Sequence, residues 1–489
     1  MQLTELFDGE AIVVINQAAT EGLDINGLTC DSRQVEPGFL FAALPGARAD
    51  GRTFIDDALR RGAVAVLGPP GTRIDGTGQP VTLLVDDNPR RLFALMAARF
   101  FGAQPATIAA VTGTNGKTTV AGFLRQAWEQ RGLRAASLGT LGVSVPGVVK
   151  AGNLTTPDPV ALHEILSNLA GDGVEYLAME ASSHGIDQCR LDGVRLTAIA
   201  FTNLTRDHLD YHGSMEAYLT AKLRLFTDVM APGGQAVVNA DTPYREAVLA
   251  AATQRSHGVM TYGVEGHEVR LKSIEPVAGG QRLKIVVVGA PHEVKLPLIG
   301  AFQASNALCA LTLALACGED AAAAVSTMEN LEGIPGRVQF IGHHASGGAV
   351  YVDYAHTPDA LASLLKALRP HAAGRLVVVF GCGGERDPGK RPEMGHFACD
   401  LADSVIVTDD NPREEDAAEI RREVMAGCSG AREIGDRGEA IHAAVAALKS
   451  DDLLVIAGKG HEPGQIVGTE VLPFDDASVA LEAIGGASA

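Results

Sequence analysis

One turn restricts this chain's fold more than any other feature: Thr112-Gly113-Thr114-Asn115-Gly116-Lys117-Thr118-Thr119. An apolar run at 107–111 precedes it, and a helical pattern follows at 120–130. Strand, Gly-rich turn and helix N-terminus make an anion cradle. Backbone N–H groups face a phosphate, Lys117 adds a point charge, and Thr118 or Thr119 offers a hydroxyl to Mg²⁺. The spacing is shorter than in the common phosphate loop, with only Thr114 and Asn115 between the glycines. A strand entering a helix through such a turn belongs in a parallel sheet, so an α/β fold is expected.

Three regions divide the 489 residues. Residues 1–103 alternate short strands and turns and close on a helix at 88–101, with Leu92, Leu95, Met96 and Phe100 on one face. Residues 104–335 carry the phosphate loop and end at Gly333-Ile334-Pro335-Gly336, a hinge composition. Residues 336–489 repeat a pattern of apolar strand, polar or Gly-rich loop and helix, with strands at 375–380, 404–408 and 453–457. The loops at 381–391, 409–415 and 458–464 would share the carboxyl edge of an open sheet, where ligands bind.

The chain has 40 Lys and Arg against 59 Asp and Glu, a net charge of −19. That excludes non-specific nucleic-acid binding and docking on anionic lipid, so positive charge for an anionic ligand must be gathered locally. No apolar run reaches the ~18 residues of a membrane helix, and residues 1–10 lack a signal-peptide pattern. Seven cysteines occur without a CxxC pair. The expectation is a cytoplasmic chain with reduced thiols, without a disulfide framework or structural zinc.

The central region holds further chemistry. Glu180 ends a short apolar strand at 176–179 and is a natural Mg²⁺ ligand. Ser182-Ser183-His184 lacks the surroundings of a serine nucleophile, which leaves Ser182 a substrate hydrogen bond and Ser183 and His184 a turn. The run 202–213 contains Asn203, Asp207, His208, Asp210 and His212 and suits Mg²⁺ and nucleotide better than zinc, with His212 in a loop role. Residues 214–228 read as a helix in which Met215, Tyr218, Leu219, Lys222 and Phe226 share a face. Lys222 there is either a lysine snorkelling its stem or a desolvated, neutral amine able to capture CO₂ as a carbamate.

Residues 112–119 resemble the ATP loop of the Mur ligase family, the amide-forming ligases of peptidoglycan precursor synthesis, and the resemblance extends along essentially the whole chain. It implies three α/β domains: a nucleotide-sugar-binding domain at 1–103, a P-loop-type parallel-sheet ATPase domain at 104–335 and a Rossmann-like amino-acid-binding domain at 336–489. It implies ATP contacts from Gly113, Thr114, Asn115, Gly116, Lys117, Thr118, Thr119, Asn306, Arg337, Asp353 and His356. Where the family often carries Asn on the adenine side, this chain has Gln303. Cys30, Ser32, Ala47, Arg48 and Ala49 resemble uridine-nucleotide contacts, and Asn153, Thr155, Thr156, Ser182, Gln188 and Arg190 resemble contacts to the muramoyl-peptide. Lys117, Glu180, His208 and Lys222 take the catalytic roles, and Thr118, Glu180, His208 and carbamylated Lys222 the Mg²⁺ roles.

Asp410-Asn411-Pro412-Arg413 resembles the diaminopimelate-adding members of the family, with Arg386, Gly458 and Glu462 as further contacts. Diaminopimelate exceeds lysine by a carboxylate, which a guanidinium fork holds bidentately, and Glu462 suits its ammonium. The reaction implied joins ATP, UDP-N-acetylmuramoyl-L-alanyl-D-glutamate and meso-diaminopimelate through an acyl phosphate. Domain closure and a monomer without nucleic-acid or membrane partners are expected. The alternatives are a lysine-adding ligase of the same family, a folylpolyglutamate-type ligase and, of another class, a P-loop regulatory ATPase.

Overall fold

Short runs of Val, Ile, Leu and Ala between Gly- or Pro-rich turns bury both faces as strands, and helices between them leave those strands parallel. The computed structural model describes residues 1–7, 9–10, 12–15, 22–46, 49–74, 81–150, 152 and 154–486. It divides into two compact units, Met1–Val269 with Cys309–Ala321, and Arg270–Leu308 with Ala322–Ala489.

In the first unit, β1 (Val13–Ile15), β2 (Gly27–Thr29), β3 (Phe39–Ala42), β4 (Ala65–Gly68) and β5 (Thr82–Val85) form a sheet in the order β1-β5-β4-β3-β2. Its strands are parallel except β1. The expected helix spans Pro89–Phe101, with the Asn88 side chain accepting from the Arg91 N–H at 3.1 Å and Leu92, Phe93 and Met96 buried in the core.

The unit's second set of strands is β6 (Thr107–Thr112), β7 (Ala135–Gly139), β8 (Gly142–Val145), β9 (Val148–Lys150), β10 (Tyr176–Glu180), β11 (Ala198–Phe201), β12 (Gln235–Asn239) and β13 (Gly258–Gly263). They lie in the order β13-β12-β11-β6-β10-β7-β8-β9, parallel as far as β7 and antiparallel thereafter. Register sets Glu180 of β10 beside Val111 of β6, and Phe201 of β11 beside Thr112. The carboxyl ends of three strands therefore converge on the phosphate loop. The helix expected at 214–228 is α-helical over Met215–Arg224, capped by Ser214, and widens into a π-helical turn at Leu225–Val229.

In the second unit, β14 (Val269–Val277), β15 (Gly280–Val287) and β16 (Ala290–Leu296) precede the helix Ala301–Ala316, and β15 and β16 pair antiparallel. A sheet follows, built of β17 (Gln339–His343), β18 (Ala349–Asp353), β19 (Leu376–Phe380), β20 (Ser404–Val407), β21 (Arg432–Glu433) and β22 (Leu453–Ala457). Its order is β17-β18-β22-β19-β20-β21, parallel except β17. The loops after β19, β20 and β22 therefore share one edge, as the repeated pattern predicts. The third repeat differs: after β22 the chain forms a hairpin, β23 (Gly464–Val467) and β24 (Glu470–Pro473), before the helix Asp476–Gly486. Gly468, at φ +58, sits between two β-branched segments and turns them back on each other.

The expectation of unbridged thiols is corrected by a disulfide between Cys399 and Cys428, with an S–S distance of 2.07 Å. These cysteines are 29 residues apart in sequence, so local spacing does not reveal the pair. The helices Lys390–Leu401 and Ala417–Ala426 approach at backbone distance, where a Cβ on Gly395 would strike the Val424 carbonyl and one on Gly427 the Pro392 carbonyl. Among the described residues no helix is long and apolar enough to cross a membrane.

Candidate active site

β6 turns into the helix Lys117–Gln130 through Gly113 at φ +151 and Gly116 at φ +88. The helix starts three residues earlier than the apolar pattern suggests, which buries Thr118 and Thr119 in its first turn. A Cβ on Gly113 would collide with the Thr202 hydroxyl, so that position requires glycine. The loop is strapped to the segment after β11. Thr202 donates to the Asn115 carbonyl at 2.7 Å, the Asn203 amide oxygen accepts from the Asn115 N–H at 2.9 Å, and Thr114 N–H donates to the Asn203 carbonyl at 2.9 Å. Sequence reasoning placed this segment near the nucleotide but missed Thr202 and Asn203 as the strap.

Two lysine side chains meet at this loop. Lys117 donates to the Gly113 and Thr114 carbonyls, both at 2.9 Å, and Lys222 donates to the same Gly113 carbonyl at 2.8 Å. Lys222 projects from the apolar face of its helix, is 1% exposed and lies 4.5 Å from the centroid of the Tyr218 ring. Burial, and then the Lys117 ammonium, hold its pKa well below the ordinary lysine value. Snorkelling is thereby overturned, because the amine ends inside the protein. The Tyr218 hydroxyl lies 3.2 Å from the Thr114 hydroxyl, and sequence reasoning saw Tyr218 only as core.

Glu180 is buried at the end of β10. Its oxygens accept from the Thr140 N–H at 2.7 Å and the Thr140 hydroxyl at 3.2 Å. A Cβ on Gly139 would collide with this carboxylate. His208 sits at φ +52, with its ring edge-on to His184 at 4.9 Å and Nε2 3.5 Å from Asp207. Burial lowers its pKa, and His184, Lys117 and Lys222 push the same way. His212, the last residue of the one-turn helix Leu209–His212, meets the Ser183 hydroxyl at 3.0 Å. Among the described residues no three His, Cys, Asp or Glu side chains form a metal group. Mg²⁺ held beside phosphates needs only one or two protein oxygens, and the Thr118 hydroxyl and Glu180 carboxylate are of that chemistry.

A polar network continues from Glu180. Buried Thr156 donates to the Glu180 carbonyl at 3.2 Å and accepts from the Ser182 N–H and hydroxyl at 3.1 and 3.0 Å. Thr155 meets Thr140 at 3.0 Å. Ser182 caps the helix Ser183–Asp187 through the Gly185 N–H. Arg190 donates to the Thr156 carbonyl at 2.7 Å and to Gln188 at 2.8 Å. Cys30, exposed at the end of β2, interacts electrostatically with Arg190 and Asp158. Ser32 is buried in the turn Ser32–Gln34, and Ala49 accepts from the Gly46 N–H at 2.9 Å. Ala47, Arg48 and Asn153 lie outside the described residues.

The second unit gathers the remaining nucleotide candidates around Tyr354. The Arg337 guanidinium lies 4.5 Å from that ring's centroid and the His356 ring 4.6 Å from it. Asp353, at the end of β18, accepts from the Val338 and Ala355 N–H groups at 2.8 Å each, and burial raises its pKa. Gln303 donates to the Arg337 carbonyl at 3.1 Å and accepts from Asn306 at 3.2 Å.

The loops after β19, β20 and β22 interlock. Arg413 sits at φ +54, its guanidinium donates to the Gly384 carbonyl, and its backbone bonds Ile466 and Gly468 of the hairpin. Pro412 is buried beside it and accepts from the Glu415 N–H at 3.2 Å. Asp410 is buried and accepts from the Asn411 N–H at 2.7 Å. Asn411 donates to Glu462 at 2.9 Å. Gly458, at φ +116, bonds the Asp353 carbonyl. Arg386 is exposed on the first loop. Lys459, unassigned by sequence reasoning, is wholly buried among these groups, and its flanking glycines were the only available signal.

Comparison with known proteins matches three family models: "Mur ligase family, catalytic domain" at residues 24–100, "Mur ligase middle domain" at 111–314 and "Mur ligase, glutamate ligase domain" at 336–460. The chain is 53% identical over 471 residues to the UDP-N-acetylmuramoyl-L-alanyl-D-glutamate–2,6-diaminopimelate ligase of Caulobacter vibrioides, covering 95% of this chain and 96% of the relative. It is 52% identical to the ligase of the same name from Rhizobium meliloti, with 95% of each chain covered. A solved structure of a ligase of that name superposes with a TM-score of 0.71 at 35% identity, covering 95% of this chain and 96% of the other.

Proposed function

The chain belongs to the Mur ligase family, and from that premise we infer an ATP-dependent ligase that adds 2,6-diaminopimelate to UDP-N-acetylmuramoyl-L-alanyl-D-glutamate in peptidoglycan precursor synthesis. Its architecture is the family's three-domain α/β arrangement. We assign the UDP-muramoyl substrate to residues 1–103, ATP to 104–335 and the amino acid to 336–489. The reaction belongs in the cytoplasm, where ATP and a nucleotide-activated substrate are supplied, and the chain acts as a monomer.

The observation that carries the site assignment is the shared Gly113 carbonyl, which holds Lys117 and Lys222 at the head of a buried helix. The Lys117 cation and a helix N-terminus on one turn suit a polyphosphate. A carboxylate is a poor acyl donor because its leaving group would be oxide. Its oxygen therefore attacks the γ-phosphorus of ATP, ADP leaves, and the D-glutamate side chain becomes an acyl phosphate. The neutral amine of diaminopimelate then attacks the acyl carbon, and phosphate departs with the bond electrons.

The protein contributes positioning and charge neutralisation. Lys117 and the loop N–H groups hold the phosphates. Thr156, Ser182, Gln188 and Arg190 hold the muramoyl-peptide, with Cys30, Ser32 and Ala49 on its nucleotide. Asn306, Arg337, Asp353 and His356 are the further residues we assign to ATP. Arg386, Asp410–Arg413, Gly458 and Glu462 take diaminopimelate, with Arg413 on its distal carboxylate. Thr118, Glu180, His208 and Lys222 would hold Mg²⁺, which neutralises developing phosphate charge when bound. Burial of Lys222 favours the uncharged amine that carbamate formation requires, and a carbamate there would add a carboxylate-like oxygen to that set.

Phosphate release, measured with the UDP-muramoyl-dipeptide while the amino acid is varied, tests this reading. Release that depends on diaminopimelate and not on lysine is expected. Release with lysine alone indicates the lysine-adding activity, and release with no amino acid indicates a hydrolytic ATPase.

A further inference from the structure

Lys459 is the one lysine side chain of the second unit's ligand loops that is wholly buried, at 0% exposure. A buried ammonium is costly unless charged and polar partners surround it. Its Nζ donates to the Asn411 amide oxygen at 2.9 Å and to Glu462 Oε2 at 3.2 Å. Asn411 closes the triangle by donating to the same Glu462 oxygen at 2.9 Å. The Ile466 N–H gives the Asn411 oxygen a second donor at 2.9 Å, so both ends of that amide are committed. Two residues on stands Arg413, whose backbone is tied to the same hairpin at Ile466 and Gly468.

The turn that points Lys459 inward depends on its neighbours. Gly458 is at φ +116, and a Cβ there would lie 2.8 Å from Asp410 Oδ2. Gly460 is at φ +58, and a Cβ there would lie 2.8 Å from the Tyr354 Cβ. Glycine at both positions therefore serves one outcome, an ammonium between the loop after β20 and the loop after β22.

We infer that Lys459 is a positioning residue for diaminopimelate: through Asn411 and Glu462 it sets the spacing between the carboxylate that takes the ligand's ammonium and the Arg413 guanidinium that takes its carboxylate. The inference rests on the diaminopimelate reading above and deepens it. Lys459 touches no substrate in this scheme. It holds Glu462 in one orientation and anchors the base of the Asn411-Pro412-Arg413 arch.

The test is steady-state phosphate release by the full chain with ATP, UDP-muramoyl-dipeptide and diaminopimelate, each varied in turn. Lys459→Met is expected to raise the diaminopimelate KM roughly 10- to 100-fold, the scale of one lost charged hydrogen bond, with the ATP KM within about twofold of wild type. In a Glu462→Gln background the same substitution is expected to add less than about threefold, because it acts through Glu462. Lys459→Gln keeps a neutral donor for Asn411. It is expected to fold and to raise the diaminopimelate KM in the same direction, and it replaces the Met variant if that one does not fold. An unchanged diaminopimelate KM in the folded variant, equal rises in the ATP and diaminopimelate KM values, or full additivity with Glu462→Gln overturns the inference. Wild-type phosphate release that ignores diaminopimelate instead overturns the functional reading, so the two failures are distinguishable.

Discussion

The phosphate loop and the amino-acid loops handle positive charge in opposite ways. At the phosphate loop, Lys117 and Lys222 donate to one backbone carbonyl, and burial and then the Lys117 charge hold the Lys222 pKa well below the ordinary lysine value. In the second unit, buried cations are interleaved with carboxylates: Lys459 with Glu462, Arg391 with Glu415 and Glu423, and Arg437 with Asp476. A cation beside a desolvated amine on one turn suits a ligand that brings its own negative charge. Opposite charge locked in ion pairs builds a rigid frame, and on the proposed reading Arg413, together with Glu462 held by Lys459, meets the carboxylate and ammonium of a zwitterion. An acidic chain of net charge −19 can thus bind anions, because what matters is where the cations are gathered.

The largest effect tests the crowded side. Lys222→Ala is expected to lower kcat by about 10³-fold or more in phosphate-release assays, and high bicarbonate should not restore it. A small added carboxylic acid should recover part of the rate. Near-normal activity would remove Lys222 from the catalytic set. On the interleaved side, Arg437→Met leaves Asp476 buried and unpaired and should cost about 3–5 kcal/mol of stability in denaturant unfolding. Arg437 also donates to the Ala457 and Asp409 carbonyls, at the ends of β22 and β20, so a small loss would show that the frame does not depend on it.

Arg413→Ala sharpens the contrast further. The diaminopimelate KM should rise roughly 10- to 100-fold while the ATP KM stays near wild type, since one guanidinium fork is removed from a site that holds no phosphate. Equal effects on both would make the arginine structural. A pH-dependent effect concerns His163, buried in the helix Pro159–Gly171, whose pKa burial lowers to about 4. The folded chain keeps this ring neutral while the unfolded chain takes up a proton near pH 6.5. Stability is therefore full above about 6.5 and falls as pH drops toward 4, by up to about 3 kcal/mol. In thermal melts, His163→Leu should flatten that part of the pH profile.

Much of this was legible locally. A Gly-rich turn at a strand-to-helix junction announces itself because phosphate binding uses backbone N–H groups and contiguous residues. The carboxyl-edge loops of β19, β20 and β22 were likewise readable, because strand period and glycine position are local properties. Lys222 was half legible: helical spacing put it on an apolar face, but spacing cannot distinguish a stem that snorkels from an amine that ends inside. The Cys399–Cys428 bridge and the strap from Thr202 and Asn203 were not legible, since each joins segments whose proximity depends on packing.

The amino-acid sequence by itself determined the α/β class, the phosphate loop and the order of the strand–loop–helix units. Each is written in residue type and short-range period, which backbone sterics and hydrophobic burial translate directly. Tertiary structure alone decided that Lys222 and Lys117 share a carbonyl, that Glu180 is gripped by Thr140, and that Lys459 lies sealed between Asn411 and Glu462. Each arrangement depends on a contact between distant residues: Lys222 with Gly113, Thr140 with Glu180 and Lys459 with Asn411. Their energies depend on distance and on removal from water, and neither exists until the sheets have formed.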